Sequence, residues 1–321
     1  MSMKGIFFAA ALAFLPIIGH AYDDSDRPIK IVVPFAPGGI TDSVARIGAK
    51  WLSTDLRKPV IVDNRPGAGG AIAADIVARA PADGYTLFLA SLPQIAILPA
   101  MQPVKYDPVK DFEPVSIIGV SPMVLVVNPK VPVNSVDEFI RYVKNSPTPI
   151  AYGSAGNGTI THLAMVKFLE AANLTMNHIP YKGGASAMAD VLANQIPTYF
   201  GNVSEVAQHV KAGKLRALAV SSTKRVSTLP DTPTIAELGF ANYSAETWTG
   251  IMAPAKTSAE IVNKLSESLI RSVHNPAVAK QLEDIGVTLV GNTPSEFAAW
   301  RDRDIKTWST AARKILSENT N

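Results

Sequence analysis

Apolar residues along this chain recur at two spacings, and residues 29–56 show both in succession. Ile29 to Val33 is a β-branched run that reads as a buried strand. Pro34 to Gly39 interrupts it. Val44, Ile47, Gly48, Trp51 and Leu52 then recur at helical spacing, which predicts an amphipathic helix from near Thr41 to Leu56–Lys58. The pattern continues with a strand at Pro59–Asp63, a glycine loop at Asn64–Gly70 and a helix at Ala71–Ala80 with Ile72, Ile76 and Val77 inward. A turn at Pro81–Gly84 leads to a strand at Tyr85–Ala90. This βαβαβ order with short apolar strands predicts a parallel sheet with right-handed crossovers.

A polar segment, Asp107–Pro114, separates this unit from two apolar strands at Val115–Val120 and Met123–Val127. Asn134 or Ser135 then caps a helix running to about Lys144. Ile150–Leu169 repeats the opening design: a short strand, the loop Gly153–Gly158, and a helix with Leu163, Val166 and Leu169 spaced for packing. Asn177–Gly184 gives a further strand and glycine turn, followed by a helix at Ala185–Ala193. A strand at Pro197–Phe200, a helix at Ser204–Ala212 and a strand at Leu215–Val220 complete a second α/β unit. After the loop Pro230–Glu237 and its short helix come a strand at Thr247–Pro254 and helices at Ser258–His274, Pro276–Ile285 and Ser295–Ser317. This tail has no sheet of its own and is expected to return to the first unit.

Composition narrows the class. A chain of 321 residues exceeds one ordinary core, so two domains are expected. With 47% hydrophobic and 18% charged residues it is globular rather than disordered. A net charge of +3 without any Lys/Arg block among aromatics argues against nucleic acid binding. Lys4, the apolar run Gly5–Ile18 and Gly19-His20-Ala21 form a cleavable secretory signal, with cleavage expected after Ala21. A membrane anchor is the alternative, but the run is short and Asp23, Asp24 and Asp26 follow at once. The absence of cysteine excludes disulfides, thiolate chemistry and a lipidated cysteine, and fits a bacterial periplasm.

The chemistry resides in the glycine loops. Where a strand, a glycine loop and a helix start meet, unpaired first-turn N–H groups and the helix dipole favour an anion. Gly38 and Gly39 admit it without a Cβ in the way. A tight turn serving only the chain is the competing reading for any one such loop. The second loop adds the Ser154, Thr159 and Thr161 hydroxyls, and two copies a domain apart suggest one anion between two lobes. Arg65 could hold an anion, although pairing with a nearby carboxylate or carbonyl is preferred.

Catalytic motifs are missing. Neither His-Glu-x-x-His nor Gly-x-Ser-x-Gly occurs, and Ser221-Ser-Thr-Lys224 lacks the companions of a Ser-x-x-Lys enzyme. His162 and His178 read as structural. Neither loop fits a Walker A or a Gly-x-Gly-x-x-Gly pattern. No catalytic residue, metal or cofactor is expected.

Several stretches resemble one family. They are Ile31–Asp42, Val62–Gly70, Asp83–Thr86, Tyr106–Phe112, Tyr152–Thr159, His162-Leu163, Pro180–Gly184, Ala212–Val220 and Pro233–Glu237. In this order the chain is similar to the Bug family, the TctC-like periplasmic solute-binding receptors of tripartite tricarboxylate transporters. The resemblance implies an α/β, two-lobed periplasmic-binding-protein (Venus-flytrap) fold. Each lobe would be a mainly parallel sheet flanked by helices, with two crossing strands as the hinge. Residues 1–21 would be the leader, 22–123 with 244–321 the first domain, and 124–243 the second.

The resemblance also implies a site. A ligand carboxylate would lie between Phe35, Pro37, Gly38, Gly39 and Thr41 and the facing Ser154, Ala155, Gly156, Asn157, Gly158 and Thr159. Asp42 belongs to the same loop and is expected to order it rather than touch the anion. The ligand's far end would meet Ser91, Gln94, Tyr181, Lys182, Asn202 and Trp248. The chain departs from the family where many members carry Asp and it has Gly201. A missing carboxylate there tilts the ligand toward dicarboxylates, unless Gly201 only serves its turn. The implied function is capture of a small organic carboxylate, a dicarboxylate or an aromatic one, by a monomer that delivers it to the large and small subunits of a membrane permease. A sensor protein could read the same closed surface, and a periplasmic enzyme is the remote alternative.

Overall fold

The computed structural model describes residues 27–181 and 183–318; the expected leader, residues 1–21, and Lys182 lie outside the described residues. The elements run β1 (Ile29–Val33), α1 (Ile40–Leu56), β2 (Val60–Asn64), α2 (Ala71–Ala78) and β3 (Thr86–Ser91). A π-helical turn at Pro93–Ile97 leads into α3 (Leu98–Met101) and then β4 (Phe112–Val127). Next come α4 (Val136–Lys144), β5 (Ala151–Ser154), α5 (Ile160–Ala172), β6 (Asn177–Pro180), α6 (Gly184–Leu192), β7 (Thr198–Asn202), α7 (Val203–Lys211) and β8 (Arg216–Val220). The chain closes with β9 (Glu246–Pro254), α8 (Ala259–Val273), α9 (Pro276–Asp284), β10 (Thr288–Leu289) and α10 (Pro294–Glu318).

Local chemistry explains the ends. Ser135 caps α4 by accepting from Glu138 N, while Glu138 Oε2 accepts from Asn134 N at 2.6 Å, a reciprocal capping pair. Asn275 caps α9, with Pro276 at its first position. The α2 stripe differs from expectation. Ala73, Ala74 and Val77 face the sheet, and Ile72 and Ile76 are 48% and 39% exposed. The helix packs against β3, and its small residues take that close approach.

The sheet falls into two lobes that share β4. In the first lobe the order is β2-β1-β3-β9-β4, with β10 also on β4. In the second, β7 and β8 pair with β4, and β5 and β6 continue beyond β7. The expected strands 115–120 and 123–127 are one 16-residue strand, β4. Pro122 does not break it because the partner changes there. Pro122 is the last residue opposite β9, and Met123 is the first opposite β7. A missing N–H is tolerated at such a changeover. Beyond Pro254 the tail was read as helices alone, but β10 adds two residues beside Gly119 and Val120. It is too short to leave a periodic signal.

Strand directions place the cleft. β1, β2 and β3 are mutually parallel, β9 is antiparallel to β3, and β4 is antiparallel to β9, so β1–β3 run with β4. β4 leads from the first lobe into the second. There β7 opposes it and β5 and β6 run with β7. The carboxyl ends of both parallel sets therefore point at the boundary between the lobes. In open α/β sheets ligands bind at such ends.

The tail returns as expected. Trp51 Nε1 donates to Ser268 O at 2.9 Å, tying α1 to α8, and Arg271 pairs with Asp55 at 2.6 Å. α10 packs on β4 and the Pro93–Met101 turn, and also reaches α5. Gly119 is held to glycine by backbone, since a Cβ there would lie 2.6 Å from Thr288 O. Gly119→Ala should push β10 off β4 and cost ~1–3 kcal/mol as overpacking. Urea unfolding followed by tryptophan fluorescence measures this, and an unchanged midpoint would show that the contact relaxes freely.

Candidate functional site

In the first lobe, β1 ends at Val33 and the loop Pro34–Gly39, exposed from Phe35 onward, turns into α1. Gly38 has φ +93°, a conformation that favours glycine, and a Cβ at Gly38 or Gly39 would meet nothing within 4 Å. Gly39 caps α1 without a side chain, so the first-turn amides open onto this space. Asp42 sits beneath the loop. It accepts from Gly38 N at 3.0 Å, Arg46 Nε at 2.9 Å, Arg46 Nη2 at 3.0 Å and Asn64 Nδ2 at 2.9 Å. The Arg46 hydrogen bonds, with those from Gly38 and Asn64, lower its pKa to about 2 against the effect of burial. Asn64 Nδ2 also donates to Phe35 O at 3.0 Å, so one amide staples the loop from below. Phe35 lies on the exposed side, as do Pro37 and, in part, Thr41. Arg65 pairs with Asp63 at 3.0 Å, the preferred reading of that residue.

In the second lobe, β5 ends at Ser154 and the loop 155–159 turns into α5. Its hydroxyls are used within the loop. Ser154 is fully buried, accepts from Gly156 N at 3.1 Å and stands 2.7 Å from His178 Nε2. Thr159 Oγ1 donates to Gly156 O at 2.7 Å, and Thr161 Oγ1 accepts from Ala155 N at 2.8 Å. Gly158 N donates to His162 Nδ1 at 3.2 Å, which places the proton of that imidazole on Nε2. Asn157 stays exposed at the tip. A Cβ at Gly158, where φ is +71°, would collide with Sδ of Met101 at the end of α3. The lobes meet at that contact.

Beneath the second loop, His162 and His178 stack with ring centroids 3.8 Å apart and planes 8° apart, and Tyr152 stacks on His178 at 4.9 Å. Burial, with the neighbouring His178, lowers the His162 pKa to about 3, and burial lowers that of His178 to about 4. Both rings are neutral supports.

The residues expected at the ligand's far end lie in different places. Ser91 and Gln94 are buried and bond each other at 2.5 Å, and Gln94 Nε2 donates to Gly69 O at 2.9 Å. Trp248 is 1% exposed, with Nε1 donating to Asp304 at 3.0 Å and its ring edge-on to Phe297. Tyr181 is half-buried and its hydroxyl donates to Asp190 at 2.6 Å; burial and Asp190 push its pKa up to about 12. Asn202 ends β7 beside Glu205. Asn64, Met101 and Glu205 were not singled out from the sequence, because each reads locally as an ordinary strand-end or helix residue. Among the described residues no cluster of His, Cys, Asp and Glu suits a metal ion.

The geometry is thus two helix N-termini, each behind a glycine loop, brought to one cleft without a fixed cation among the described loop residues. The model of the tripartite tricarboxylate transporter family receptor matches residues 44–315. Protein BugT of Bordetella pertussis is 36% identical over 316 residues, covering 98% of this chain and 96% of that protein. The solved structure of Rpa4515 of R. palustris with adipate is 32% identical, with a TM-score of 0.79 over 90% of this chain and 97% of that one. MatC from Rhodopseudomonas palustris with bound malate is 28% identical, with a TM-score of 0.75 over 89% and 99%. No helix among the described residues is long and apolar enough to cross a membrane.

The stacked pair predicts a pH effect. Both folded pKa values lie below the unfolded 6.5, so the unfolded chain binds more protons between them. The stability given by neutral rings is complete above pH 6.5 and is lost as pH falls toward about 4 and then about 3. The melting temperature of the native protein should therefore drop more steeply across this range than that of a His162→Gln/His178→Gln variant. Parallel profiles would remove the pair from the account.

Proposed function

Because the chain belongs to the receptor family of the tripartite tricarboxylate transporters, we propose that it captures a small organic carboxylate between its lobes and hands it to the large and small subunits of a membrane permease. The observation that carries this reading is the convergence of two glycine-loop helix N-termini, α1 and α5, on one cleft. Each offers backbone N–H groups and a partial positive charge to an anion. Asp42 repels that anion little, since Arg46 and Asn64 neutralise and cover it.

In this reading Gly39, Thr41 and the first turn of α1 hold the carboxylate from the first lobe, and Asn157 and the first turn of α5 from the second, while Gly38 and Gly156, whose amides are bonded to Asp42 and Ser154, give it room. Phe35 and Pro37 form an apolar wall. Ser154, Ala155, Gly158 and Thr159 shape the second loop, and Asp42 shapes the first. Solved relatives with adipate and malate support the carboxylate class. Closure around β4 and β9, with Met101 seated on Gly158, would seal the ligand from water. Capture of this kind needs no nucleophile or general base.

A thermal-shift screen of ligand-stripped protein against mono-, di- and tricarboxylates tests the reading. A ligand at about a hundredfold its Kd adds ~2.7 kcal/mol of stability, a shift of roughly 4 °C or more for a chain of this size. A flat response to every carboxylate would overturn it. Gly39→Val places a side chain in the open space where the anion approaches, at φ −82° and ψ 173°, which valine accepts. It should lower the melting temperature of the free protein by no more than a few degrees, since valine is a poorer N-cap than glycine, and weaken the best ligand by more than about tenfold, ~1.4 kcal/mol or more. Unaltered affinity would move the carboxylate away from this loop.

A further inference from the structure

The second lobe carries a carboxylate at the cleft that neither glycine loop explains. Glu205 lies in the first turn of α7, directly after the carboxyl end of β7, and its side chain is exposed. Oε1 accepts from Asn202 Nδ2 at 3.1 Å, and Oε2 accepts from the Tyr199 hydroxyl at 3.5 Å. Tyr199 is itself fully buried, so the carboxylate is steered from beneath. Two glycines make room for this arrangement. A Cβ at Gly184 would lie 2.8 Å from Glu205 Oε2, and one at Gly201 would lie 2.6 Å from Cε1 of Tyr199. Crowding by neighbouring atoms desolvates the carboxyl, although its outer edge is exposed, and raises the pKa of Glu205, while the Asn202 and Tyr199 bonds oppose that. The other acid of this corner, Asp190, is taken by the Tyr181 hydroxyl.

A carboxylate offers about four acceptor positions, and the side-chain and backbone amides of Asn202 with the Tyr199 hydroxyl face three of them. We propose that Glu205 reads the end of the ligand remote from the bound carboxylate, and that the site selects small carboxylic acids bearing a hydroxyl or ammonium donor there over acids ending in a second carboxylate. This rests on the carboxylate-receptor reading above and adds the ligand's second functional group. A donor completes the remaining outer position of Glu205. A second carboxylate would bring acceptor against acceptor and like charge against like charge, the arrangement that discriminates most strongly in a closed site. The inference reverses the tilt drawn from Gly201. The acidic group lacking at 201 enters from 205, and the missing Cβ at 201 leaves space for the Tyr199 ring that supports it.

Titration calorimetry on the ligand-stripped protein tests this with short straight-chain acids of matched length, ending in methyl, hydroxyl, ammonium or carboxylate. At equal length the native protein should prefer a donor-ended acid to its carboxylate-ended counterpart by about tenfold or more. Glu205→Gln should reduce that ratio to about threefold or less and change methyl-ended acids little. Glu205→Asp, which keeps the charge, should retain the preference, and it serves as the readout if the glutamine variant fails to fold. Tightest native binding of carboxylate-ended acids, or a ratio that survives Glu205→Gln, overturns the proposal while leaving the receptor reading intact. Failure of every acid, methyl-ended ones included, overturns both.

Discussion

The polarity of β4 is the constraint on which the cleft depends. One strand is flanked by β9 and β10 in one lobe and by β7 and β8 in the other, so the two lobes cannot choose their strand directions independently. Its direction sends β1–β3 toward the boundary from one side and β5–β7 from the other. The loops at the carboxyl ends of both parallel sets are delivered to the same gap. Pro122 marks the handover without breaking the strand, and the hinge is therefore continuous backbone rather than a flexible linker.

The two loops reach the same end by different chemistry. The first is drawn together by one buried carboxylate, Asp42, whose charge is cancelled by Arg46. The second is drawn together by hydroxyls and by two neutral stacked imidazoles. Both leave amides rather than side-chain charges facing the opening. A site of this type favours an anion through fixed dipoles that need little rearrangement on binding.

Much of this was legible in the sequence. Periodicity located most strands and helices within a few residues, though not the helical segment Pro93–Met101 or β10, and it placed both glycine loops directly before helices. The acid at position 42 was read as a loop organiser, which its four donors match. Long-range contacts were beyond reach. That Ser91 and Gln94 satisfy each other in the core, that Trp248 is held by Asp304 from α10, and that Glu205 meets Tyr199 depend on the packing of distant elements rather than on any local period. The inward face of α2 was misjudged for a related reason. Hydrophobicity alone ranked the isoleucines first, whereas the closeness of the sheet selected the alanines.

The position of β9 bears on how the chain acquires its structure. It lies between β3 and β4, yet it is made from residues 246–254, long after both neighbours. Until that segment is present, the first lobe has a gap in the middle of its sheet, with two unpaired edges of apolar strand. The second lobe draws all its strands from residues 112–220 and can complete its sheet earlier. Contacts this distant in sequence form slowly, because a long loop must close before they are rewarded. The half of the molecule that starts the chain is thus the half that finishes last, and through that interval its open edges are the molecule's point of exposure to aggregation.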